Sequence, residues 1–246
     1  MQIEPIAVFH SPISGKFGVP RQAGLAGGLR GTIELTGEYR RPDALRGLDG
    51  FDYLWLIWNF NLNYCSRHQE GPAEHKETVV SKSADNCFKA TVRPPRLGGN
   101  ERIGVFASRS PFRPNGLGLS SVKIESIDFQ HCTIEVSGAD LADGTPVFDI
   151  KPYVEYADSH PGVRSGFVDE RKWEVLEVSF ADCRNAELLS EVQLKALSDI
   201  LSLDPRPAYK EDNGQVYGLN FAGRNIRFKV QDGSVTVLDI SDTAQP

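Results

Sequence analysis

The sequence predicts a mainly β protein: an antiparallel β-barrel over residues 1–157, followed by a small α+β unit over residues 166–246. Three observations predict it. Before residue 157 the chain holds roughly eight short apolar or alternating runs at close spacing and little helical periodicity, the pattern of a barrel or sandwich. Residues 156–166 are polar and carry Pro161, Gly162 and Gly166, a change of composition that marks a domain boundary. Beyond it, one amphipathic helical segment is followed by three runs joined by Ala222-Gly223 and Asp232-Gly233 turns.

Taken in order, residues 3–10 alternate loosely up to Ser11-Pro12 and form the first strand; residues 32–35 form the second. Pro42 suits a first helical turn and Gly47 its end, predicting a short helix over 42–48. Residues 51–60 are almost continuously apolar, which predicts a strand buried on both faces with Trp55 and Trp58 in the core. Residues 88–92 stop at Pro94-Pro95, and the apolar run 103–107 breaks into a loop. Residues 121–129 and 132–137 flank Gln130-His131 as a hairpin, and 147–151 run into Pro152-Tyr153. In the second unit, a strand over 173–180 precedes a helix over 186–201, capped by Asp182 or Asn185. That helix places Leu189, Val192, Leu197 and Ile200 on one face. Strands over 215–221, 225–230 and 234–240 complete it as a three-stranded meander.

The net charge of -6 argues against indiscriminate polyanion binding. Against that background Arg93, Arg96, Arg102, Arg109 and Arg113 fall in one short span, with Glu101 the only acid among them. Pro111 and Pro114 stiffen the loop 108–116 and Asn115-Gly116 supplies a tight turn. A stiff loop carrying forked donors suits a carboxylate or phosphate; its alternative use is to cap neighbouring carbonyls.

Other classes are excluded or disfavoured. No glycines in 24–31 are spaced as Gly-x-Gly, and Gly116-Leu117-Gly118 leads into a strand, so the dinucleotide fingerprint fails. Cys65, His68, His75 and Cys87 match zinc ligands in type but not in spacing, so no metal is expected. The N-terminus lacks a signal-peptide pattern and no apolar run approaches bilayer length; a cytoplasmic location is expected.

Four ordered stretches then carry a resemblance: Lys16 to Gln22, Val92-Arg93-Pro94-Pro95-Arg96, Gly104 to Gly118, and Asp143-Gly144-Thr145-Pro146 through Asp149-Ile150-Lys151-Pro152-Tyr153. Over most of residues 3–157 the chain resembles the TsaA-like family, which includes the TrmO-type tRNA methyltransferases, and residues 204–209 resemble the C-terminal domain of its bacterial members. The resemblance implies a barrel that binds S-adenosylmethionine, usually as a homodimer, and methylates N6 of threonylcarbamoyladenosine at tRNA position 37, beside the anticodon.

By family position, Pro20, Arg21, Gln22, Asn61, Leu62, Arg109, Leu119, Leu141, Ala142, Asp143 and Gly144 would line the cofactor. Arg21, Arg93 and Arg109 are candidates for its carboxylate, and Gln22 and Asp143 for its polar groups. Asn61-Leu62 stands where close relatives often carry His-Gln. Asp149, Lys151 and Tyr153, alternate residues of one strand, are candidates to orient the site and relay the N6 proton. Arg113, and Arg206, Tyr209 and Lys210 of a third proline-stiffened loop, are candidate tRNA contacts. Two other readings stand beside this one: a non-enzymatic RNA-binding barrel, and a methyltransferase for another RNA or a small molecule.

Overall fold

The computed structural model describes residues 3–63, 88–98, 100–171, 175–206 and 214–243. Cys65, His68, His75, Cys87, Tyr209 and Lys210 lie outside the described residues, and with them the zinc question and two of the expected tRNA contacts.

The first unit contains β1 (Ala7–His10), β2 (Arg30–Leu35), β3 (Tyr53–Asn59), β4 (Thr91–Val92), β5 (Ile103–Gly104), β6 (Leu117–Asp128), β7 (Thr133–Ser137) and β8 (Thr145–Pro152). Six of these close a barrel in the order β1-β2-β7-β6-β3-β8, with every pairing antiparallel. Its interior is filled by Phe9, Ile33, Leu54, Leu56, Val122 and Ile134, each at most 1% exposed. Burying such a side chain contributes about 1.5–3 kcal/mol. The expected barrel is therefore present, with β4 and β5 pairing only with each other outside it.

Several expected boundaries move for identifiable reasons. β6 begins at Leu117 rather than 121, because Leu117–Ser120 already pair with Leu56–Asn59. Gly118, Ser120 and Ser121 have weak strand propensity, and cross-strand pairing overrides it. The run 103–107 gives two strand residues and then a 3₁₀ turn, Val105–Ala107. Residues 42–50 form two 3₁₀ turns instead of a helix. β3 is buried on one face only: Leu54, Leu56 and Trp58 point into the core, while Trp55 and Ile57 are half-buried and Tyr53 is exposed. Trp58 is thus a core residue as expected, and Trp55 is not.

After the barrel come α1 (Glu155–Asp158) and α2 (Phe167–Glu170), then β9 (Glu177–Ser179), α3 (Glu191–Ser202), β10 (Val216–Phe221), β11 (Arg224–Gln231) and β12 (Ser234–Asp242). The sheet is four-stranded, β10-β11-β12-β9, because β9 joins the meander parallel to β12. α3 starts later than the periodicity suggests. Asn185 adopts φ 60°, Ala186–Leu188 form a 3₁₀ turn, and Ser190 caps the helix in a reciprocal arrangement with Gln193. Leu197, Ile200 and Leu201 are buried, whereas Val192, expected on the same face, is 56% exposed.

The second unit does not keep its core to itself. Ile13, Ala26 and Leu29, from the segment between β1 and β2, are buried among Leu197, Leu219, Phe221 and Phe228. The Ala222 N–H donates to the Pro12 carbonyl at 2.7 Å and the Gly28 N–H to Asp199 Oδ2 at 2.9 Å. The 13–29 segment therefore leaves the barrel, packs under α3 and β10–β12, and returns. No helix among the described residues is long and apolar enough to cross a membrane.

Candidate functional site

The loop 108–116 is stiff, and its hydrogen bonds show how. Ser108 Oγ donates to the Val105 carbonyl at 2.8 Å, and Ser108 and Ser110 Oγ accept from the N–H groups of Ser110 and Phe112. The turn at Asn115-Gly116 closes with Gly116 at φ 57°, its N–H on the Arg113 carbonyl and its own carbonyl receiving the Phe60 N–H at 2.9 Å. Arg113 spends its charge inside this loop, donating to the carbonyls of Ser108 at 2.6 Å and Val105 at 3.3 Å. Its guanidinium thus braces the loop, and Arg113, expected as a tRNA contact, is half-buried and lines the cleft.

Arg109 points the other way. Its Nη1 lies 3.3 Å from Gln22 Oε1, joining the 108–116 loop to the 16–22 loop across a cleft of about 1050 Å³. Pro20, Arg21, Gln22, Asn61, Leu62, Arg93, Arg109, Leu119 and Ala142 all line this cleft, so nine of the expected cofactor residues converge there. The rest do not. Leu141 is 1% exposed in the barrel core, and Asp143 accepts from the Ser11 N–H at 3.0 Å with His10 beside it. Gly144 meets the rim through its carbonyl, 3.5 Å from Asn61 Nδ2.

Arg21 lines the cleft but is turned toward the second unit: Nη2 donates to the carbonyls of Arg206 at 3.2 Å and Asp204 at 3.4 Å. Arg206 itself is 6% exposed and forms a forked pair with Asp204, at 2.8 and 2.9 Å. That placement corrects its expectation as a tRNA contact. A buried, paired guanidinium organises the loop after α3 and does not present charge to a partner.

Asp149, Lys151 and Tyr153 do share a face, but it is the outer face of the barrel and not the cleft wall. Trp58 pairs with Val147 and Ile57 with Asp149, so Phe148 is a bulge. The extra residue resets the alternation: Thr145 and Val147 point into the core, and beyond the bulge Ile150 does, leaving Asp149 and Lys151 exposed. Tyr153 packs on Trp55, ring centroids 5.8 Å apart, and Asp158 accepts a bond from the Trp55 side chain. The trio approaches the cleft only through Trp55, which does line it.

One acidic residue on the cleft wall escaped the sequence reading. Asp140 lies among buried neighbours, and Ser120 Oγ sits 2.5 Å from its Oδ1; Trp58 Nε1 donates to the same Ser120 oxygen at 2.9 Å. Burial raises the Asp140 pKa, opposed by the Ser120 hydroxyl, main-chain N–H groups including that of Ala23, and the Arg109 charge. The available signal was an acid set between Ala139 and Leu141, directly after a strand. Gly118 makes the packing possible: a Cβ there would stand 2.3 Å from the Trp58 ring.

The donor set fits S-adenosylmethionine. Arg109 offers a fork for a carboxylate, the Gln22 and Asn61 amides offer polar partners, and Leu62 and Leu119 expose apolar surface at 43% and 59%. The fold and cleft define a β-barrel with a cleft large enough for a nucleoside at one side, outside the Rossmann class. Family models described as the tRNA-methyltransferase O N-terminal domain and the TrmO C-terminal domain match residues 8–159 and 174–243. The chain belongs to the tRNA-methyltransferase O family. It is 36% identical over 245 residues to the tRNA (adenine(37)-N6)-methyltransferase of Escherichia coli (strain K12), covering 96% of each chain. It is 35% identical over 246 residues, 97% of each chain, to a Pseudomonas aeruginosa relative whose name includes S-adenosylmethionine-dependent methyltransferase. The crystal structure of TrmO from Pseudomonas aeruginosa superposes with a TM-score of 0.73 at 28% identity, covering 98% of each chain.

Proposed function

We propose that this chain methylates N6 of adenosine 37 in tRNA, using S-adenosylmethionine, with N6-threonylcarbamoyladenosine as the substrate nucleoside. The observation that carries this reading is the cleft itself. The Arg109–Gln22 pair, the apolar Leu62 and Leu119 and the basic Arg93 meet where both units of a methyltransferase-family chain adjoin. Within it Arg109 binds the cofactor carboxylate, and Gln22 and Asn61 hold its remaining polar groups. When bound, S-adenosylmethionine supplies an electrophilic methyl on a sulfonium. The stiff loop keeps Arg109 fixed, so much of the acceleration comes from alignment of the attacking nitrogen. Arg93 and Lys89, both exposed, form a basic wall for the anticodon stem-loop backbone.

Tyr153 acts in this reading as a support of Trp55 rather than as a proton carrier, and Asp149 and Lys151 stand on the outer face of the barrel. A homodimer and a cytoplasmic location are part of the same proposal; light scattering of the purified chain tests the first.

Mass spectrometry of tRNA nucleosides from a deletion strain and its complemented parent tests the reaction. Loss and restoration of the N6-methylated threonylcarbamoyl nucleoside are expected; an unchanged nucleoside profile overturns the reading. Calorimetric titration with S-adenosylmethionine separates it from a non-enzymatic RNA-binding barrel, which would give no binding heat.

A further inference from the structure

Removing the N6 proton is a separate requirement from holding the cofactor. A nitrogen conjugated to the purine ring is a poor nucleophile, and the carbonyl of a threonylcarbamoyl group draws off more density while making the N–H more acidic. A proton acceptor on the cleft wall therefore accelerates transfer, typically by about 10²–10⁴-fold.

Among the described residues that line the cleft, Asp140 and Asp204 are the carboxylates. Asp204 is committed to Arg206 by its forked pair. Asp140 is held from behind by the chain Trp58 Nε1, Ser120 Oγ, Asp140 Oδ1, at 2.9 and 2.5 Å. Ser120 and Trp58 are 2% and 5% exposed, so the relay is buried, and Asp140 at its end lines the cleft. A carboxylate meant only to satisfy the core would not need the cleft wall, and one meant only as a surface charge would not be bonded to a buried serine.

We propose that Asp140 is the general base of the methyl transfer. The inference rests on the reaction assigned above. In the step, the Asp140 carboxylate takes the N6 proton as the N6–CH₃ bond forms. The S–CH₃ bond breaks with its electron pair left on sulfur, and the proton remains as the carboxylic O–H. Ser120, donating to Oδ1, orients the carboxylate and tunes its basicity. The other groups acting on that carboxylate are the Arg109 guanidinium and main-chain N–H groups including that of Ala23, all of which favour the charged form.

The test uses full-length protein with tRNA carrying the threonylcarbamoyl nucleoside. Asp140→Asn keeps an acceptor for Ser120 and removes the base. Its single-turnover rate at saturating cofactor and tRNA is expected to fall by about 10²–10⁴-fold, with calorimetric affinity for S-adenosylmethionine within threefold of the parent. Ser120→Ala removes a bond that favours the charged carboxylate, so the rising limb of its pH–rate profile is expected to move to higher pH. A third readout needs neither cofactor nor RNA. The indole N–H resonance of Trp58 in the ¹⁵N-labelled free protein should titrate with Asp140, and the titration should vanish in Asp140→Asn. Asp140→Asn turnover within threefold of a parent that methylates, or a Trp58 resonance that does not titrate, overturns this role alone. A parent that methylates no tRNA overturns the reaction assigned above and this role with it.

Discussion

The Arg21 guanidinium donates to the Arg206 main-chain carbonyl at 3.2 Å, so a cleft-lining residue of the barrel unit is fastened to the backbone of the second unit. With the neighbouring bond to Asp204, this fixes the loop that carries Pro20 and Gln22. Arg21→Ala removes two long, partly solvated bonds, together worth about 1 kcal/mol. Affinity for S-adenosylmethionine is expected to fall roughly fivefold, in line with that energy, while the far-ultraviolet circular dichroism stays unchanged. Isothermal calorimetry checks it.

Truncation at Gly166 should do far more. The fragment would expose Ile13, Ala26 and Leu29, which the intact chain buries against the second unit. Each loses about 1–2 kcal/mol of burial, and the 16–22 loop loses its anchor. The fragment is expected to lose cofactor binding along with tRNA methylation; a fragment binding the cofactor with parental affinity would show that the barrel completes its site alone.

Arg109→Ala leaves Gln22 without its cationic partner and removes the fork proposed for the cofactor carboxylate. A charge-assisted bond is worth roughly 1.5–3 kcal/mol, so cofactor affinity should drop about ten- to a hundredfold. Arg113→Ala offers the contrast. It should lower thermal stability by about 1–2 kcal/mol through two lost carbonyl bonds. The salt dependence of tRNA binding should hardly change if the guanidinium stays on these carbonyls, and should flatten if it reaches a phosphate. Filter binding across a salt series separates the two.

Gly118→Ala places a methyl against the rigid Trp58 ring. Overpacking of this kind costs typically 1–3 kcal/mol, and the displaced ring would also strain its bond to Ser120. Urea unfolding should show a lower midpoint with an unchanged slope, and turnover should fall as well.

Asp140 predicts a pH effect of definite sign. Its folded-state pKa is raised by burial, so the folded chain holds the proton more readily than the unfolded one. Its contribution to stability is full below the ordinary aspartate pKa and declines as pH rises through the raised value. At neutral pH Asp140→Asn is therefore expected to unfold at a higher urea concentration than the parent. The excess should shrink as pH is lowered toward the ordinary carboxylate range. A catalytic carboxylate kept at the expense of stability is the pattern that functional sites commonly show.

The barrel is legible because the alternation in 132–137 and the apolar run 51–60 reflect burial, although that run proves buried mainly on one face. Leu117–Ser120 was not legible as strand, since glycine and serine carry little strand preference and only pairing with β3 defines them. The cleft is readable in part from its loops: Arg109 and Gln22, each expected at the cofactor by family position, lie 3.3 Å apart on its wall, a pairing that neither loop foretells. The fates of Arg113 and Arg206 were not, because an arginine in a proline-rich loop looks the same whether it faces out or braces carbonyls. The outward turn of Asp149 and Lys151 depends on a single bulge at Phe148, which leaves no mark in composition or period. Asp140 went unread for a related reason: only the fold brings Ser120 to it.

The packing of Ile13 against Leu219 has a consequence for synthesis. The 13–29 segment leaves the ribosome well before its partners in α3 and β10–β12. They are about 200 residues apart, and at about 5–20 residues per second the nascent chain carries that apolar segment unpartnered for roughly 10–40 s. The 16–22 side of the cleft cannot settle against the second unit until β12 has emerged, so a chain stalled before that point would present a sticky apolar segment in place of a half-working enzyme.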